Sequence, residues 1–313
     1  MKILAPVKNL LSWIQVVNSW VWEIYFWVVS NEWESKHNFK SILNRRDWSL
    51  ANISSYSDGK KLIDYARSKG VESYITLNNS PIINDVELIK EEIRNCIAIK
   101  PDALIVKDIY IASLIREIDK DIQIHCSSLN QVINSESIDF WVKNFNISRM
   151  IFPRNISINE IKNLCSLFPN LEFEIFIKND WCYNSDWVCS SLHLEWLKDG
   201  IPYVCNREAI YKSDDEKFNQ DYMVLVKNMN DCKVCMIKEL LDIKNLVSLK
   251  IVGREKALDI ILKDIKFVQS ALEFSTLAET NKEFMDFNII NHTKSLKKDC
   301  SHKNCEVFNM YYI

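Results

Sequence analysis

Four cysteines, Cys182, Cys189, Cys205 and Cys235, stand between an apolar strand pattern and the segment SLKIVGR (248–254). The first two are spaced C-x6-C, the third follows sixteen residues later, and the last closes the set. Thiolates are soft donors, so four of them brought to one point hold either a zinc ion or a cubic iron–sulfur cluster. Zinc held by four thiolates is closed to water and staples a loop, whereas a cluster is suited to electron transfer. The other cysteines read differently. Cys96 and Cys165 lie in helical patterns amid apolar neighbours, as core residues do, and Cys126 alternates with His125 on a strand pattern. Cys300 and Cys305, near His292 and His302, make either a second metal site or part of a loose polar tail.

Those cysteines need elements to position them. Eight short apolar runs recur along the chain: KILAPV (2–7), WEIYFWVV (22–29), ESYITLN (72–78), ALIVKD (103–108), IQIHCS (122–127), RMIFPR (149–154), FEIFIK (173–178) and SLKIVGR (248–254). Amphipathic helical stretches separate them, among them 85–100 and 157–168, and another follows at 255–274. Eight strand–helix units predict an α/β protein, a (β/α)8 TIM-type barrel over residues 1–280. Two connections exceed ordinary loops. One, near 30–58, carries His37, Arg45, Arg46 and Trp48; the other, 179–247, is an insertion after strand seven that holds the cysteine quartet. Loops that follow strands lie on the catalytic face of such barrels. Residues 281–313 read as a polar C-terminal appendage.

The same face should receive the strand ends: Asn78, Asp108, His125, Ser127, Arg154, Lys250 and Arg254. Two guanidinium groups and an ammonium converging there would bind a carboxylate, so Asn78, Ser127, Arg154, Lys250 and Arg254 are candidate substrate ligands. Alternatively, Arg154 and Arg254 pair with acidic side chains and steady the barrel. His125 titrates nearest neutral pH and is the candidate general acid or base, with Asp108 orienting a substrate hydroxyl or pairing with a cation.

Composition narrows the function classes. A hydrophobic share of 48%, a charged share of 26% and a net charge of −3 are those of a soluble globular chain without a broad electrostatic footprint for nucleic acid. There are only four glycines, and no GxGxxG or P-loop occurs. At the N-terminus an apolar stretch is interrupted by Lys8, Asn9, Gln15, Asn18 and Glu23, which reads as strand, helix, strand rather than a membrane span. Leu10, Leu11, Ile14, Val17 and Trp20 recur there at helical spacing. The expected compartment is the cytoplasm, where ten cysteines serve as ligands and core residues rather than disulfides.

Several segments together resemble the collagenase-like peptidases, the thirty-second family of the unknown-mechanism peptidase class. They are ILAPV, YARSKGVESYITLNN (65–79), DALIVKD (102–108), IQIHCSS (122–128), ISRMIFPRNISINEI (147–161), EIFIKNDWC (174–182) and SLKIVGR. The family signature is similar to Glu174-x-Phe176 followed by Cys182-x6-Cys189, with departures. Asn179 and Trp187 stand where relatives carry glycine, and Val252 where they carry an acid. The resemblance implies a 4Fe-4S cluster on Cys182, Cys189, Cys205 and Cys235, with Cys232 as a substitute for Cys235 and zinc as the alternative metal. It further implies an oxygen-independent hydroxylation, or a related redox modification, of a small molecule, an RNA base or a peptide, with prephenate as co-substrate. A homologous partner subunit in a heterodimer is a further implication, and a collagenase-like peptidase or a non-catalytic accessory subunit is the alternative. Trp181, Trp187 and Trp196 flank the cysteines and would shield a cluster from solvent.

Overall fold

The computed structural model describes residues 1–28, 52–78, 80, 86–130, 132–154, 156–179, 232–254, 256–296 and 300. Eight strands follow the eight predicted runs: β1 (Lys2–Pro6), β2 (Glu23–Phe26), β3 (Glu72–Leu77), β4 (Ala103–Val106), β5 (Gln123–Cys126), β6 (Arg149–Ile151), β7 (Glu172–Lys178) and β8 (Leu246–Ile251). All are parallel to their neighbours and close in sequence order, with β8 pairing β1 through Lys2↔Ser248. This is the TIM-type (β/α)8 barrel.

Among the described residues the helices are α1 (Leu10–Val17), α2 (Tyr56–Ser68), α3 (Val86–Ala98), α4 (Ile109–Ile118), α5 (Ser135–Phe145), α6 (Ile158–Leu167), α7 (Ile237–Leu240), α8 (Leu258–Ser275) and α9 (Asn281–Leu296). Their starts are written locally. Ser55, Asp108, Asn134 and Ser157 each accept a hydrogen bond from an orphan backbone N–H of the first turn. Ser157 and Glu160 complete a reciprocal capping box.

Strand alternation makes two cores. Ile3, Ile24, Ile75, Leu104, Ile124 and Cys126 point outward into the helix layer, while Leu4, Tyr25, Tyr74, Ile105, Ile151 and Phe176 fill the barrel. Cys96 and Cys165 are buried in the helix layer, where burial pushes their thiols up, that of Cys165 to about 12.

The expected N-terminal helix is present. Trp13, Val16 and Val17 pack inward, Ile14 is 47% exposed and Trp20 is 79% exposed. An Asn9–Ser12 capping box fixes where the helix begins, and Asn18 caps its end, so Trp20 lies outside it with φ at 63°.

Residues 281–296 form a full helix, α9, docked on α8. Phe284, Asn288 and His292 are buried, Phe287 stacks on Phe274 at 4.0 Å, and His292 meets the Phe267 ring edge-on at 5.4 Å. No described helix is long and apolar enough to cross a membrane.

Candidate functional site

Inside the barrel the alternation places charge where such barrels usually carry branched apolar side chains. Glu23, His125, Arg149, Glu174, Ser248 and Lys250 are all buried. Arg149 donates to Glu23 at 2.9 Å, to Glu172 at 2.7 Å and to Glu174 at 3.4 Å, and its guanidinium lies 5.4 Å from the Tyr74 ring. Glu23 also accepts from Tyr74 Oη at 2.8 Å and Ser248 Oγ at 2.5 Å. Burial works against a charge on Glu23, but Arg149 and these hydrogen bonds outweigh it and hold the carboxyl below its ordinary range. None of Glu23, Tyr74 or Arg149 was singled out from the sequence. The available signal was an isolated charged residue inside strand runs that are otherwise mostly apolar, as Glu23 in β2 and Arg149 in β6.

Higher in the barrel, Lys250 donates to Glu174 at 2.8 Å and lies 4.6 Å from the Tyr25 ring centroid and 5.9 Å from that of Phe176. Burial lowers its pKa, with Glu174 opposing. Arg254 donates to Thr76 Oγ1 at 3.4 Å and sits 6.0 Å from the Tyr25 ring. The Arg154 guanidinium is 4.8 Å from the Phe176 ring, and its backbone carbonyl accepts from Lys233 at 2.8 Å. Three cations thus share two aromatic rings at the C-terminal end of the barrel.

The remaining predicted residues occupy the same rim with different local duties. Asp108 Oδ1 accepts from the N–H groups of Tyr110 at 2.9 Å and Ile111 at 3.3 Å, which makes it the cap of α4. Ser127 N–H donates to Val106 O, and its hydroxyl accepts from Leu129 N. Asn78 follows the last residue of β3 and is half-buried. His125 faces the interior, its ring edge-on to Tyr74 at 4.6 Å. Burial first, then the charges of Arg149, Lys250 and Lys2, hold its pKa well below the ordinary imidazole value.

Cys182, Cys189 and Cys205 lie outside the described residues, as do Trp181, Trp187, Trp196, Cys305, His302, His37, Arg45, Arg46 and Trp48. Of the quartet, Cys235 is described, in a short 3-10 turn over Val234–Met236, and it is half-buried rather than sunk in the core. Cys232 bridges in antiparallel fashion to Lys178, the last residue of β7, and Lys233 N donates to Ile177 O at 2.9 Å. The C-x2-C pair therefore sits at the mouth end of β7. No group of three or more potential ligands converges among the described residues. The donor chemistry of the quartet, four thiols with Cys235 and Cys232 at the rim, suits a soft metal or cluster.

Asn179, immediately after β7, has φ at 66°. Its Nδ2 donates to Asp264 Oδ2 at 2.7 Å and to Val252 O at 3.3 Å. The position thus requires the left-handed region that glycine and asparagine enter most readily. The asparagine adds a tie to α8 that glycine lacks. Stability should fall in the order Asn179, Gly, Ala, Val at this site, with Asn179→Val costing about 2 kcal/mol or more. Denaturant midpoints check this, and a valine variant as stable as the glycine variant would contradict it.

The profile of peptidase family U32 matches residues 41–312. The chain belongs to peptidase family U32. Among its relatives, tRNA hydroxylation protein P of Haemophilus influenzae is 33% identical over 120 residues, 38% of this U32 chain and 26% of that protein. The Helicobacter pylori protein of the same name is 28% identical over 165 residues, 53% of this chain and 37% of that one. The matches thus span well under half the length of these relatives. A solved U32 peptidase, Mk0906, superposes with a TM-score of 0.51 at 10% identity over 81% of this chain and 92% of that one, a likeness of fold alone.

Proposed function

We propose that this U32 chain carries an iron–sulfur cluster on Cys182, Cys189, Cys205 and Cys235 and supports an oxygen-independent hydroxylation of an RNA base. The observation that carries the reading is the position of the Cys232–Cys235 turn at the mouth end of β7, where the intervening Lys233 donates to the carbonyl of Arg154 at 2.8 Å. The relatives named for tRNA hydroxylation supply the substrate class. A bound cluster would supply electron transfer, since four cysteine ligands leave no open iron position. The chain's own residues do the rest. Lys250, Arg154 and Arg254 hold the carboxylates of a small co-substrate such as prephenate, and the aromatic floor excludes water beneath it. A homologous subunit would complete the RNA-binding surface, because the net charge of −3 gives this chain no broad attraction of its own for a polyanion.

The competing reading is peptidase chemistry, which needs a metal-activated water or a nucleophile beside its base. The sequence has neither HExxH nor GxSxG. Cleavage of collagen or a defined peptide, abolished by one named substitution, would favour it. The hydroxylation reading is tested on transfer RNA from cells with and without the gene, grown without oxygen. Nucleoside mass spectrometry should show a hydroxylated base lost on deletion, restored by the natural chain and not by the Cys182→Ala variant. Unchanged nucleosides in the deletion would overturn the RNA assignment.

A further inference from the structure

The turn between α1 and β2 carries two tryptophans into solvent. Trp20 is 79% exposed and Trp22 45%, while Val21 between them is buried. Trp20 also has φ at 63°, in the left-handed region that a bulky side chain enters only at a cost. Its neighbours hold it there. From α8, Gln269 Nε2 donates to Ser19 O at 2.7 Å and to Trp20 O at 3.1 Å. From α2, Tyr65 Oη donates to Asn18 Oδ1 at 3.0 Å, and Glu72 N donates to Trp22 O at 3.0 Å. Ile14, one helical turn before Asn18, extends the exposed apolar surface along α1. A pinned, strained turn that holds indoles in water does nothing for the fold itself, and such surfaces are kept for contacts.

Charge indicates what covers this one. Helix α1 packs against both α2 and α8, and each contributes one ion to the flanks of the turn. Lys69, which ends α2, has its ammonium 5.8 Å from the Tyr65 ring, and Glu273 stands one turn beyond Gln269 on α8. Both are exposed, and among the described residues neither is in an ion pair. A cation on one side, an anion on the other and tryptophans between make a surface complementary to itself. We propose that this face is the contact between two copies of this chain, related by a two-fold axis through the tryptophans. The axis sets Lys69 of each copy against Glu273 of the other, with tryptophan at the centre and the charges at the rim. Both tryptophans precede β2, so the face lies at the N-terminal ends of the strands. The two mouths therefore point away from each other and stay open, and the assembly does not depend on the cluster or on the hydroxylation reading.

Sedimentation of the full chain between about 1 and about 100 μM tests this, with Trp20→Asn, Lys69→Glu, Glu273→Lys and the double exchange as variants. The natural chain should be a dimer in the upper part of this range. Asparagine enters the left-handed region more readily than tryptophan, so Trp20→Asn should be at least as resistant to urea while its dimer weakens about a hundredfold or more. Each single charge reversal sets like charges together twice per dimer and should weaken it about tenfold. The double exchange restores both pairs and should return the affinity to within about threefold of the natural chain. Circular dichroism confirms that each variant is folded. A natural chain that stays monomeric at about 100 μM would overturn the proposal, as would a Trp20→Asn dimer of natural affinity. A double exchange no tighter than the single reversals would overturn the two-fold arrangement, and the proposal with it.

Discussion

Replacing Arg149 with methionine should cost about 3–5 kcal/mol of stability, the largest effect of any single substitution inside the barrel. Arg149 is 2% exposed, and Glu23 and Glu174 are each 0% exposed. The substitution leaves both carboxylates in the interior without their guanidinium. Lys250 still serves Glu174 at 2.8 Å, while Glu23 keeps Ser248, Tyr74 and the longer 3.5 Å contact to Lys2, so the charge on Glu23 loses more. Adding Glu23→Gln to Arg149→Met should recover part of the deficit, because the residues share one network and their effects do not add. Glu172→Gln is the control. Glu172 is half in solvent, so breaking its bond to Arg149 should cost about 1 kcal/mol or less. Urea unfolding compares these three variants with the natural chain. An Arg149→Met variant within about 1 kcal/mol of the natural chain would show that the interior charges are solvated and the network is incidental.

Mild acid should destabilise the protein through His125. An unfolded histidine takes up its proton near pH 6.5, while the folded His125 remains neutral well below that. The unfolded state then binds more protons than the native state, so stability is full above about pH 6.5 and falls as the pH drops below it. The slope is about 1.4 kcal/mol per pH unit until the native imidazole itself titrates. The groups facing the ring are Tyr74 from β3, Arg149 from β6, Lys250 from β8 and Lys2 from β1, and the three cations all oppose protonation. Glu23 acts in a separate window. Its depressed carboxyl contributes stability that is lost only as the pH falls below the ordinary carboxylate value of 4.5. Denaturant midpoints between about pH 7.5 and about pH 5 should therefore slope in the natural chain and flatten in His125→Asn. Equal slopes in both proteins would place the acid sensitivity elsewhere.

The barrel was legible because each strand is an apolar run of the right length, bounded by helix caps that lie in the adjacent residues. All eight runs became strands in their sequence order. What pattern reading lost was packing and partnership. Helix α1 is present, and Trp13 and Val16, which the helical spacing did not mark, are buried beside Val17. Helix α9 has little apolar stripe, and its docking depends on Phe284 and Phe287 meeting α8, a contact between distant faces. The rim residues were legible as strand ends, and the interior ion network was not. Seeing that Glu23, Arg149, Glu174 and Lys250 meet requires closure of the barrel, which brings β2, β6, β7 and β8 around one axis. Asn179 shows a different lesson. Where the resemblance implies a glycine, the left-handed backbone of Asn179 and its bond to Asp264 make the asparagine an alternative solution.

The cluster is the centre of the account, and metal analysis of protein purified without oxygen tests it most directly. Iron, acid-labile sulfide and zinc should be measured together with the visible spectrum, on the natural chain and on Cys182→Ala and Cys189→Ala. The account predicts about four irons and four sulfides per chain, with a broad visible absorption, lost in either variant while the barrel stays folded. One zinc per chain, or no metal, would contradict it.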